Sequence, residues 1–176
     1  MRDKKVLLIV QAAMIAAIYV VMTVFVNAFS LASGAIQVRL SEALTVLPFF
    51  TPAAIPGLGI GCFLANLVTG APLPDVVFGS LATLIGAVGT WFLRKHKFLC
   101  TLSPVAANVL IIPFVLRYAY GLVVEFHGVD VSIPFYMLTV GVGEVICCCI
   151  LGTILINALA RVRNVIFVTN ESKKTI

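Results

Sequence analysis

From Val6 to Ala28 the chain carries no charged side chain, and comparable runs with a single charge each recur at about 75–93, 100–123 and 134–160. A helix needs about 20 mostly apolar residues to cross a hydrocarbon core about 30 Å thick, so each run is long enough to span a bilayer. Composition agrees: the chain is 61% hydrophobic and 11% charged, against about 45–50% apolar and about 25% charged in soluble domains. The expected class is an all-α integral membrane protein, residues 1–176 forming a single membrane domain with no stretch left for a soluble one. The first run follows Arg2, Lys4 and Lys5, as a signal peptide would, but a secretory apolar region is only about 7–15 residues long. Residues 6–28 are therefore expected to remain as a span.

The block from Leu40 to Gly70 is interrupted by Pro48, Pro52 and Pro56, and charge decides how often it crosses. If it crosses once there are five spans, and with the N-terminus inside only Arg2, Lys4, Lys5 and Arg117 are cytoplasmic, against the positive-inside rule. If it crosses twice, turning at 51–53, there are six spans at about 6–28, 40–50, 53–70, 75–93, 100–123 and 134–160. Arg2, Lys4, Lys5, Arg94, Lys95, Lys97, Arg161, Arg163, Lys173 and Lys174 then lie inside, ten of the twelve Lys and Arg. Six spans with both termini cytoplasmic is the expectation. The piece from Leu40 to Phe50 would be only about 16 Å long as an α-helix, so it must be short, tilted or partly unwound. Irregular backbone at membrane depth is tolerated where protein or a water-filled cavity covers it, and broken spans accompany transporter sites. Simple kinks between packed helices are the alternative.

The net charge of +5 is accounted for by orientation and gives no ground for nucleic-acid binding. The outer side and the spans hold Arg39 and Arg117 against Glu42, Asp75, Glu125, Asp130 and Glu144, a balance that favours a cationic or donor-rich solute. Glu144 lies deep in the last span, where an ionisable group costs about 2.5 to 3.5 kcal/mol and is a functional candidate. The small Gly141 and Gly143 beside it leave room for a ligand or a helix. Asn66, Asn108, Glu42, Arg39, Asp75 and Phe78 fall at similar or shallower depth. Each has a plainer reading: Arg39 and Glu42 at i, i+3 can pair with each other, the asparagines can be interhelical glue, and Asp75 can cap a helix.

Other features carry less. Cys147, Cys148 and Cys149 point about 100° apart on a helix and cannot share a metal, and no CxxC, GxSxG, HExxH or P-loop occurs. No cofactor and no enzymatic activity are expected. Trp91, Tyr118 and Tyr136 lie near span ends, as interfacial aromatics do, although Tyr136 can also reach a pocket. In the first span Ala12 and Ala16, and Ala13 and Ala17, form overlapping small-xxx-small pairs that admit a close helix, either within the chain or from another subunit.

The stretch "RLSEALTVLPFFTPAAIPGLGIGCFLANL" followed by "DVVFGSLATLIGA" resembles the QueT family, the substrate-binding S components of energy-coupling factor (ECF) transporters for queuosine precursors. The resemblance runs through nearly the whole chain. It implies a six-helix S-component fold in a bacterial plasma membrane, an externally open pocket, and partners consisting of a transmembrane T protein and two ATPases. It further implies that Ala12, Ala13, Ala16 and Ala17 dock on the T protein, and that the ligand is a 7-deazaguanine such as preQ1, preQ0 or queuine. The residues suit that ligand. A carboxylate can accept both N–H donors of its pyrimidine edge in a charge-assisted pair, a role expected first of Glu144 and then of Glu42. Asn66 and Asn108 can read the remaining polar edge, Phe78 or Tyr136 can stack on the ring, Arg39 and Glu42 mark the outer mouth of the pocket, and Asp75 is a further ligand-binding candidate. A solitary secondary carrier for a nucleobase or vitamin, coupled to protons through Glu144, and a membrane-embedded enzyme remain the rival readings.

Overall fold

The computed structural model describes residues 4–28 and 39–166. Apart from one short antiparallel pairing, every element is helical. Helix α1 (Lys4–Ala28) contains neither glycine nor proline and runs unbroken. Leu40–Phe49 follows as a 3-10 helix, then α2 (Ala54–Val68). A π turn at Asp75–Gly79 leads into α3 (Ser80–Phe92). Helix α4 (Lys97–Phe114) ends in a second π turn, Val115–Ala119. Strands β1 (Glu125–Phe126) and β2 (Val129–Asp130) pair antiparallel. Finally α5 (Ser132–Glu144) passes through a third π turn, Val145–Leu151, into α6 (Gly152–Ile166).

Among the described residues four helices are long and apolar enough to cross a membrane: Lys4–Ala28, Asp75–Phe92, Lys97–Ala119 and Ser132–Val162. Leu40–Phe49 and Ala54–Val68 are shorter apolar helices. The fifth expected span thus begins at Lys97 rather than Cys100 and is no longer helical by 120–123, where the chain turns into the hairpin. Of the charges used to orient the chain, Arg2, Lys173, Lys174 and the side chain of Arg163 lie outside the described residues.

The 3-10 helix is the hub of the fold. Ser41 to Pro48 are all buried, and α1, α2, α3, α4 and α6 all pack around it. A 3-10 run this long is uncommon, because its hydrogen bonds are poorly aligned. Two local features favour it here. The Thr45 hydroxyl bonds the Glu42 carbonyl at 2.5 Å, competing for a backbone acceptor, and Pro48 inside the helix offers no N–H. At about 2.0 Å per residue the segment extends further than the same residues would as an α-helix, which partly offsets its short length. The other two prolines do not break a helix. Pro52 lies in the turn, and Pro56 sits in the first turn of α2, where its missing N–H would have no helical partner anyway.

Helix α2 lies against α1 by the close approach of small residues. A Cβ placed on Gly57 would come within 2.7 Å of the Ala12 carbonyl oxygen, and one on Gly61 within 3.0 Å of the Ala16 Cα. The two alanine pairs are therefore divided: Ala12 and Ala16 are turned onto α2, with Ala16 buried, while Ala13 and Ala17 are exposed. Of the four alanines expected to form one docking face, Ala13 and Ala17 are thus open on the surface of the chain, Ala12 is half-buried and Ala16 is buried against α2. Below that contact a core of Ile15, Tyr19, Leu44, Leu47, Leu58 and Ile156 joins α1, the 3-10 helix, α2 and α6. A smaller cluster of Ala82, Ile112, Leu116 and Val140, with Tyr136 packed on it, joins α3, α4 and α5. The hairpin that links α4 to α5 is held by Arg117, whose Nε and Nη2 both donate to Asp130 Oδ2 at 2.8 and 2.7 Å. Hydrogen bonds from Ser132, with Arg117 adding to them, bring the exposed Asp130 carboxyl down to about 2.

Candidate binding site

Each of the three π turns carries or adjoins a charged side chain of interest. Asp75 opens the first, Arg117 sits in the second, and Glu144 immediately precedes the third. Such widened turns free or redirect backbone groups and concentrate at functional sites. With the 3-10 helix supplying Glu42, the first and third bring polar residues of an otherwise apolar chain together, while Arg117 of the second is turned to Asp130 in the hairpin.

Glu42 is 1% exposed and Glu144 6%. The Glu42 carboxylate receives the Tyr19 hydroxyl on Oε1 and the Thr83 hydroxyl on the same atom at 3.1 Å. Its Oε2 is buried with no hydrogen-bond partner. Glu144 Oε2 accepts from the Cys148 thiol at 3.2 Å, and the same sulfur lies 3.5 Å from the Glu42 carbonyl oxygen, so Cys148 links the two acidic residues. Asn108 is buried on α4 and donates to the Pro104 carbonyl at 3.2 Å; its amide also approaches both carboxylates. Asn108, Glu144, Ile112, Val140 and Arg39 line a cavity of about 10 Å³, room for about one water.

Arg39 precedes the 3-10 helix in extended backbone, with φ −94° and ψ 90°. The i, i+3 pairing with Glu42 that a continuous helix would give is therefore replaced: Arg39 Nη2 lies 3.4 Å from Asp75 Oδ2. Asp75 caps no helix, and its Oδ1 is buried without a partner. Asn66, at the end of α2, donates to the Asp75 main-chain carbonyl at 3.0 Å, serving as interhelical glue to that backbone rather than to the carboxylate. A second cavity, of about 160 Å³, opens at this end of the bundle between the ends of α1 and α2 and the starts of the 3-10 helix and the first π turn. Arg39 lines both cavities.

The structure thus brings Glu42, Glu144, Asn108, Arg39, Asp75 and Asn66 into one polar region. Phe78 is 45% exposed, while Val76 and Gly79 in the same turn are buried. Tyr136 packs on the cluster that contains Ile112 and Val140, both of which line the smaller cavity. Tyr19 and Thr83, not singled out from the sequence, belong to the site, as does Cys148, set aside above as a metal ligand. The available signal for Tyr19 was a hydroxyl in the middle of an otherwise apolar span, where a buried O–H needs a partner.

A family model described as QueT transporter matches residues 9–161. The chain is 35% identical over 85 residues to the queuosine precursor transporter QueT of Lactococcus lactis subsp. cremoris (strain MG1363). That alignment covers 48% of this chain and 50% of the relative, so the chain spans about half the length of the curated relative it matches. No solved structure matches the chain.

Proposed function

Since the chain belongs to the QueT transporter family, we propose that it captures a queuosine precursor, a 7-deazaguanine, as the substrate-binding subunit of an ECF importer. One observation carries this reading. A buried carboxylate, Glu42, keeps an oxygen without a partner within a cluster that also holds Glu144 and Asn108. Leaving a buried acceptor unsatisfied costs about 1 to 3 kcal/mol, a cost recovered when a ligand supplies the missing N–H. The pyrimidine edge of a 7-deazaguanine offers adjacent donors of that kind, and a carboxylate accepts them as a charge-assisted pair. Glu144 and Glu42 anchor this edge, Asn108 reads the neighbouring polar atoms, and Tyr136 stacks on the ring. Phe78 takes part only by turning inward.

The chain has no motif for hydrolysing ATP, so transport is driven by two partner ATPases through a T protein docked on α1 at Ala13 and Ala17. Titration of the purified chain with a panel of 7-deazaguanines, guanine and hypoxanthine tests ligand class. Tighter binding of guanine than of every 7-deazaguanine overturns it. Uptake into vesicles holding the chain with and without the T protein and ATPases tests the assembly, and ATP-independent uptake by the chain alone replaces it with a secondary carrier.

The reading includes six spans with the turn between α3 and α4 on the cytoplasmic side. Single cysteines introduced at Lys97 and at His127, in a background lacking the five native cysteines, should respond oppositely to an impermeant thiol reagent. Position 127 labels from outside intact cells and position 97 does not. Labelling of position 97 from outside would reverse or dismantle the arrangement.

A further inference from the structure

Arg39 lines both cavities, and its ion pair is poorly made. In the hairpin, Arg117 and Asp130 meet at 2.7 Å, the usual length of a charge-assisted bond. Arg39 Nη2 stands 3.4 Å from Asp75 Oδ2, although the Asp75 side chain is only 14% exposed. The other carboxylate oxygen, Oδ1, is buried and unpartnered; the Tyr120 hydroxyl also approaches this carboxylate. Apart from Tyr120, Asp75 thus meets its cation only through one long contact, in a place where a second cation could do better.

The larger cavity gives such a cation access. Besides Asp75 and Arg39 it is lined by Thr23, Asn27, Ser41, Asn66 and Thr69, hydroxyls and amides whose oxygens accept hydrogen bonds. An ammonium carries three donors and needs acceptors of this type. The region as a whole sets Glu42, Asp75 and Glu144 against the single guanidinium of Arg39, so an arriving positive charge also improves its balance. The smaller cavity, beside Glu144, shares Arg39 with the larger one and holds no more than about one water. Arg39, common to the two linings, is the side chain whose movement would join the cavities and let a bicyclic ring reach Glu144.

We propose that Asp75 is a specificity residue that reads a cationic arm of the ligand, exchanging the Arg39 guanidinium for the ligand's ammonium as the ring passes inward to Glu42 and Glu144. The proposal rests on the 7-deazaguanine reading above and deepens it: the ring edge is read at one end of the site and the charge of the substituent at the other.

Two probes differing in that charge test it, 7-aminomethyl-7-deazaguanine, which is cationic, and 7-cyano-7-deazaguanine, which is neutral. By calorimetry the wild-type chain should prefer the cationic probe by at least about tenfold. Asp75→Asn should weaken the cationic probe about 10- to 150-fold and leave the neutral probe within about threefold of wild type. Arg39→Gln removes the competitor for Asp75 and should widen the preference for the cationic probe; it reads the same exchange should Asp75→Asn fail to fold. Equal weakening of both probes by Asp75→Asn, or a narrowed preference in Arg39→Gln, overturns the assignment of Asp75 while the 7-deazaguanine reading stands. Binding of neither probe to the wild-type chain overturns both.

Discussion

Glu144→Gln is expected to lower affinity for the best-binding 7-deazaguanine by about 10- to 150-fold, the equivalent of losing a charge-assisted hydrogen bond worth about 1.5 to 3 kcal/mol. The substitution keeps the shape of the side chain but removes its charge and puts an amide donor where the ligand requires an acceptor. Glu144 suits this test better than Glu42. The hydrogen bond it receives from the Cys148 thiol is a weak one, and the nearby Asn108 amide can equally meet a glutamine oxygen, so exchange to glutamine disturbs little else. Glu42 accepts from both Tyr19 and Thr83, which tie α1 and α3 to the hub, and Glu42→Gln would mix a loss of stability with a loss of binding. Isothermal titration of the purified variant decides the matter, with a thermal melt as the check on folding. Near-wild-type affinity in a well-folded Glu144→Gln protein would move the anchor to Glu42 or Asp75.

What the sequence disclosed follows from the cost of polarity in a membrane. Glu42, Glu144, Asn66 and Asn108 stand out because each is expensive in an apolar run, and the structure gathers them into one region. Tyr19, Thr83 and Cys148 did not stand out, since hydroxyl and thiol side chains occur in membrane helices at little cost. Their relevance comes only from partners on other helices, as when Tyr19 of α1 meets Glu42 of the 3-10 helix. The shortness of 40–50 was legible from its length, but its 3-10 form was not, because Pro48 signals only a break, and the Thr45 hydroxyl bond to the Glu42 carbonyl exists only once the segment is folded. The pairing of Arg39 was misleading for a local reason. Spacing rules for charge pairs hold within a helix, and Arg39 stands just outside one. The alanine pairs show the same limit. Neighbouring positions on a helix face about 100° apart, and nothing in α1 itself says which of its small faces meets Gly57 and Gly61.

That division of α1 gives the second large effect. Ala17→Trp is expected to abolish co-purification with the T protein and uptake, with ligand affinity held within about twofold of wild type, because Ala17 is exposed and the added ring projects only into the proposed docking face. Ala16→Trp should fail differently. The Cβ position of Gly61 would lie only 3.0 Å from the Ala16 Cα and 2.9 Å from the Tyr19 Cβ, which leaves no space for an indole between α1 and α2. Overpacking of this kind costs about 1 to 3 kcal/mol, occasionally more, and it acts on the helix that carries Tyr19 to Glu42. Displacing α1 therefore pulls a hydrogen-bond donor off a buried carboxylate and distorts the binding site, so Ala16→Trp should lose ligand binding and melt at lower temperature. Parallel measurement of melting temperature, ligand affinity and partner co-purification for the two variants separates the faces. An Ala17→Trp protein that still co-purifies and transports would place docking elsewhere on the bundle, and an Ala16→Trp protein that binds ligand normally would show that α1 and α2 do not pack through Ala16 and Gly61.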